Sequence, residues 1–270
     1  MTPDTESRFE ALYVEAWAQQ EALFADPRTR DWMVHCATPV LAFGRWQDAE
    51  VTTVGINPSK FEFLDKDRPL NQAGWDFAEL VVDERRFLHR RANYTEDLTQ
   101  EMVRDARDLA ERYFERGKEY VGWFRGFGPL LGALESRFNT GLSCHTDYLS
   151  PFATSRKPLP KDVKSRLCAH GLACWVEVLK CMTNLRVVIG LGAGWKNLDA
   201  SIFSGWQSCD FLSDRERIAH YQFPYLKAGQ LQLNQLTIPV FWWVPHRGDP
   251  LFGLSNSEKE RLGEYIRSRL

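Results

Sequence analysis

Val51-Thr52-Thr53-Val54-Gly55-Ile56-Asn57-Pro58-Ser59 decides how this chain is read. A short β-branched run ends abruptly in Gly-Ile-Asn-Pro-Ser. β-Branched residues suit a pleated, buried surface, and Asn-Pro favours a turn. The pattern predicts a buried strand over 51–56 running into a tight turn that presents an Asn side chain at the strand's carboxyl end. Ligands and catalytic groups of open α/β sheets gather at strand ends of this kind. A second strand-end turn lies far along the chain, where Phe241-Trp242-Trp243-Val244 runs into Pro245-His246-Arg247-Gly248-Asp249-Pro250.

Working outward, helical spacing of Phe9, Leu12, Tyr13, Ala16 and Trp17 predicts a helix over about 7–25. Residues 60–95 read as irregular, with a short helix around 77–87. Charged and amphipathic patterns predict helices over 98–117 and 121–137, the second broken near its start by Gly126, Gly128 and Pro129. A strand over 142–149 enters the loop Pro151-Phe152-Ala153-Thr154, and a helix follows over 161–183. The continuous apolar run Leu185–Leu191 has the character of a buried parallel strand. Gly192-Ala193-Gly194 turns into a helix from about Trp195. Residues 203–225 read as irregular, 231–236 and 240–244 as strands, and 257–270 as a closing helix capped by Ser255 or Ser257. Strands separated by helices imply an α/β fold, with a mostly parallel central sheet flanked by helices on both faces. One domain over 1–270 with a helical insertion at about 60–135 is the simplest organisation.

Length and composition permit a full core: 270 residues, 44% hydrophobic and 26% charged, belong to a globular chain rather than a disordered one. Ten Trp and seventeen Phe fill a core or offer stacking surfaces for bases or sugars. The polar start Met1–Ser7 lacks a signal-peptide core, and no apolar run is long enough to span a bilayer, so a cytoplasmic setting without membrane contact is expected. The six Cys form no CxxC pair, which argues against zinc or an iron–sulfur cluster and leaves reduced thiols, with Cys168, Cys174 and Cys181 as core residues of one helix. No metal or other cofactor is expected. A net charge of −2 excludes a globally basic nucleic-acid binder but not a local basic face. Ser155–Arg166 holds five Lys or Arg in twelve residues, either a solvated helix entrance or a phosphate track.

Three strand ends carry the candidate chemistry. The first presents Asn57. The second, Leu142-Ser143-Cys144-His145-Thr146-Asp147-Tyr148, presents His145 and Asp147 beside a loop holding Ser150, Thr154 and Ser155. The third presents His246 and Arg247. If the strands are parallel, an amide, a carboxylate and an imidazole face one crevice, a set able to orient water, bind a planar ligand and stabilise a leaving anion.

In order and spacing these stretches resemble the active-site motifs of the uracil-DNA glycosylase superfamily, over roughly 50–255. Gly55-Ile56-Asn57-Pro58 resembles the first motif, a Gly-x-Asn/Asp-Pro turn whose acidic or amide residue positions the attacking water. Leu185–Gly192 resembles the central buried strand. Pro245-His246-Arg247-Gly248 sits where the family carries a second motif, usually His-Pro-Ser, whose His stabilises the departing base anion. His145-Thr146-Asp147 falls where an Asn reads the flipped base. The resemblance implies a DNA glycosylase with Asn57 and His246 as catalytic residues. The substrate pocket would draw on Gly55, Ile56, Pro58, Ser59, Asp147 and a stacking aromatic, one of Phe61, Phe63 and Tyr148. DNA contacts would fall to Ser150, Thr154, Ser155, Arg156, Lys157, Arg247 and Leu251, with Leu251, Phe252 or Arg247 as the wedge that fills the vacated stack.

Asp147 departs from the pattern in an informative way. An Asn amide serves both edges of uracil, whereas an ionised Asp only accepts. Acceptors match the exocyclic amine of cytosine and repel uracil O4. Because excising normal cytosine would harm the host, a modified cytosine is the expected target. In this the chain resembles bacterial antiviral glycosylases of the superfamily, which remove hypermodified cytosines from phage DNA. A repair glycosylase for uracil or mismatched bases, and a non-catalytic binder of damaged or foreign DNA, are the competing functions. Plainer roles compete residue by residue: Asn57 as a turn former, Asp147 as a loop cap or partner of Arg156, His246 as a structural histidine, and His145 as structural or supporting. Trp242 and Trp243 are expected on opposite faces of a strand, both in the core.

Overall fold

The run Val51–Gly55 forms strand β1, every residue of it buried. It belongs to a computed structural model that describes residues 3–34, 37–63, 99–115, 123–155, 158–192, 194, 196, 198–209, 225–233, 235–244 and 254–270. The chain folds as two compact units of interleaved segments. Unit 1 comprises Met1–Phe43, Ile56–Lys118 and Asp147–Cys181. Unit 2 comprises Gly44–Gly55, Glu119–Thr146 and Met182–Leu270.

Unit 1 holds helices α1 (Pro3–Ala25), α2 (Pro27–Arg30) and α3 (Gln100–Glu111), and a 3-10 turn at Lys60–Glu62. The long helix α5 (Lys161–Cys181) completes it. Phe9, Leu12, Tyr13, Ala16 and Trp17 are all buried, the single apolar stripe that their spacing predicts. Helix α1 packs on both α3 and α5. Across α1 and α3 the Arg107 guanidinium, only 13% exposed, meets Glu10 at 2.9 Å and Glu6 at 3.3 Å.

Unit 2 is built on strands β1, β2 (Ser143–Asp147, whose last residue falls in unit 1), β3 (Val187–Leu191), β4 (Phe203–Cys209), β5 (Tyr225–Leu233) and β6 (Leu236–Val244). They form one mixed six-stranded sheet in the order β2-β1-β3-β6-β5-β4. β1 and β3 pair in parallel, Val51 opposite Val187, and β3 and β6 pair in parallel, Gly190 opposite Trp242. The β4–β5 and β5–β6 pairs are antiparallel. Residues on both faces of β1, β2 and β3 are buried, as the apolar run ending at Leu191 suggested. Trp242 and Trp243 are both in the core. Gly190 makes room for Trp242, because a Cβ there would stand 2.0 Å from the indole.

Three expectations need correction. Residues 203–209, read as irregular, form β4: its pattern Phe-Ser-Gly-Trp-Gln-Ser-Cys lacks clean alternation because most of this end strand faces solvent. The single strand read at 231–236 is instead the junction of β5 and β6, with Leu233 paired to Leu236. Alternating leucines on either side of the connection concealed it. The helix read over 121–137 is a 3-10 turn (Phe124–Phe127) followed by the short α4 (Gly128–Ala133). It stops early because the chain turns left-handed at Glu135, φ 57°. Helix α6 (Asn256–Arg267) ends the chain, with Ser255 and Glu258 forming a capping box. Much of the insertion expected at 60–135 and the helix read from Trp195 lie outside the described residues.

Candidate active site

Gly55 closes β1, and the following turn turns its polar groups inward. Ile56 is 41% exposed, whereas Asn57 is 8% exposed. The Asn57 amide nitrogen donates twice, to Pro58 O at 2.9 Å and to Thr154 Oγ1 at 3.0 Å. A backbone carbonyl only accepts, so the Pro58 contact fixes which end of the amide points where. The Asn57 carbonyl oxygen Oδ1 is buried and meets no donor among the described residues. A buried acceptor in that condition costs about 1–3 kcal/mol unless a donor reaches it.

The opposing wall is the segment after β2. Asp147, Tyr148, Leu149, Ser150, Phe152, Ala153, Thr154 and Ser155 are all buried, an unusual state for a connecting loop. Several of its backbone groups bond to neighbours in the same unit. Leu149 N donates to Ile56 O at 3.0 Å, which draws the two strand-end segments alongside each other. Val34 N donates to Ala153 O, Val40 N to Pro151 O, and Ser155 N to Trp32 O, each at 2.9 Å. Thr154 bridges Met33 on one side and Ser59 on the other. Helix α5 seats against the loop through Gly171, where a Cβ would stand 1.8 Å from Leu149 O.

The expected site residues divide accordingly. Asn57, Pro58, Ser59, Asp147, Tyr148, Ser150, Thr154 and Ser155 gather in unit 1, around two adjoining stretches of backbone. Asp147 is 6% exposed. The hydroxyls expected to touch phosphates are turned inward: Ser150 Oγ accepts from Phe152 N, Thr154 Oγ1 accepts from Asn57, and Ser155 Oγ donates to Asp31 O. They hold the loop. Tyr148 packs edge-on against Trp175, and Phe63 is fully buried. Phe61 lies in the 3-10 turn Lys60–Glu62, with its side chain outside the described residues. Arg156, Lys157, His246, Arg247 and Leu251 also lie outside them. His145, in unit 2, is walled by Trp123 and Phe124 and has Nδ1 2.8 Å from Thr53 Oγ1, a structural setting.

Sequence reading missed Glu62, which is buried and accepts from Tyr113 Oη at 2.8 Å. It ties the turn carrying Asn57 to the residues just beyond α3. The signal was present as a lone Glu between Phe61 and Phe63. Among the described residues no group of three His, Cys, Asp or Glu side chains converges as a metal site. Nor is any helix there long and apolar enough to cross a membrane. Compared with protein-family models, with curated proteins and with solved structures, the chain finds no match.

Proposed function

We propose that this chain is a DNA glycosylase of the uracil-DNA glycosylase type, acting on a modified cytosine such as glucosylated hydroxymethylcytosine. The observation that carries the reading is Asn57: a strand-end amide fixed through both of its protons and left with one buried acceptor oxygen. Such a group orients water without taking a proton from it.

In this mechanism the base leaves the stack, since its glycosidic bond is unreachable within the duplex. Asn57 Oδ1 accepts a hydrogen bond from a water and aims the water oxygen at C1′. The bond from C1′ to the base nitrogen breaks, and its electron pair departs with the base. A new C1′–O bond forms, and the water's proton ends on the released base or in solvent, leaving an abasic site. An amide is no general base, so departure of the anion sets the rate, and His246 supplies a hydrogen bond to the negative charge that develops there. Asp147 accepts from the exocyclic amine and opposes a carbonyl in the same place. Parallel pairing of β1 with β3 and of β3 with β6 supports this reading, because parallel strands end at the same edge of a sheet.

The test uses duplexes containing uracil, cytosine or glucosylated hydroxymethylcytosine, with abasic sites revealed by alkaline cleavage and the released base identified by mass. Release of the modified cytosine alone is expected. Release of uracil with none of the modified base would replace the cytosine assignment by repair. Tight binding that survives Asn57→Ala, with no release from any duplex, would replace catalysis by recognition.

A further inference from the structure

We propose that Thr154 is a positioning residue that ties the Asn57 amide to the scaffold, in the orientation that the Pro58 carbonyl sets. The assignment rests on the glycosylase reading of Asn57 and goes beyond it. An Asn head group is nearly symmetric in shape, and rotating it by half a turn exchanges an acceptor for a donor. Presented nitrogen-first, Asn57 would offer water a donor and turn its lone pairs away from C1′. One contact opposes that rotation, and a second fixes where the head group sits. Pro58 O, 2.9 Å from Nδ2, repels a carbonyl oxygen. Thr154 Oγ1, 3.0 Å from Nδ2, takes the second amide proton. With both protons assigned, Oδ1 is the one polar atom of the head group that meets no partner among the described residues.

Thr154 is suited to this because it is itself immobile. It is 3% exposed and bridges Met33 and Ser59 on opposite sides. The residues flanking it are tied by Val34 N to Ala153 O and by Ser155 N to Trp32 O. Pro58 travels with the same turn as Asn57, whereas Thr154 belongs to a different stretch of chain. It therefore refers the amide to the scaffold rather than to its own loop. A misplacement of about 1 Å in such an arrangement can cost about 10²-fold in rate.

Two variants and one spectroscopic measurement test this on the full chain. Thr154→Ser keeps the acceptor, and Thr154→Val keeps the shape without it. On the duplex that the wild type cleaves, Thr154→Val is expected to lower kcat about 30- to 100-fold with KM within about threefold. Thr154→Ser should stay within about threefold of wild type. In 15N-labelled protein the two Asn57 side-chain protons, assigned by comparison with Asn57→Ala, should exchange slowly in the wild type and in Thr154→Ser. Equal activity of Thr154→Val and wild type overturns the proposal, as does an unprotected Asn57 amide in an active wild type. Should Thr154→Val not fold, the exchange measurement and Thr154→Ser decide the matter. A wild type inert on all three duplexes removes the glycosylase reading itself, an outcome separate from the loss of the lock alone.

Discussion

Asn57 gives both amide protons to fixed acceptors, so its carbonyl oxygen is the one polar atom of the head group without a partner among the described residues. Asn57→Ala deletes that oxygen and leaves its scaffold in place. On the glycosylase proposal, single-turnover base release should fall about 10²- to 10³-fold. On the glycosylase proposal, Asp147→Asn should change what is recognised rather than whether bonds break, because an amide can face uracil O4 with its nitrogen. The ratio of uracil release to modified-cytosine release should rise by at least tenfold, measured on the same duplexes. Glu62 makes a third case. Tyr113→Phe removes one hydrogen bond to a buried carboxylate. Hydrogen bonds to charged groups contribute about 1.5–3 kcal/mol, and urea denaturation should show a loss of that order. Of these residues, Asn57 was legible because Gly-Ile-Asn-Pro is a local pattern. Its partner Thr154 was not, since a hydrogen bond across 97 positions leaves no periodicity to read.

Element boundaries followed periodicity where burial was one-sided and lost it elsewhere. The stripe on α1 could be read because a single face is covered, whereas β4 was missed because that strand is largely exposed. The glycines in helices separate local from tertiary causes. Gly132 in α4 has nothing within 4 Å of where a Cβ would sit, so Gly132→Ala should stabilise by about 0.5–1 kcal/mol through helix propensity alone. Gly171 in α5 has the same propensity to gain, but its Cβ would collide with Leu149 O. Overpacking costs about 1–3 kcal/mol and here falls on backbone that cannot rotate away. Gly171→Ala should therefore destabilise and, on the glycosylase proposal, should also slow base release, because the loop it displaces holds Thr154. Paired melts of the two variants check the opposite signs.

For the whole molecule, the α/β class and the identity of the strands nearest Asn57 were legible, while the antiparallel end of the sheet and the division into two units were not. Alternation reports burial on one face of one strand; it carries no information on which strands become neighbours. Burial also sets the response to alkali. The Cys144 and Cys174 thiols are pushed up to about 12 and Cys181 to about 11, in each case chiefly by burial. Unfolded thiols ionise near 9, so above that pH the unfolded chain binds fewer protons than the folded one. Stability from these three groups is intact below about pH 9 and declines as pH rises toward about 12. Urea titrations at pH 8 and 10 should show the decrease, and thiol reagents at pH 8 should leave these three cysteines unlabelled until the protein unfolds. The anchored segment 147–155 has a longer-range implication. Amides such as those of Leu149, Phe152 and Ser155 should exchange with deuterium only as unit 1 opens, far more slowly than surface connections do. Insertions that ordinary loops absorb would unseat this one, so lengthening the chain anywhere in this stretch should lower the stability of unit 1.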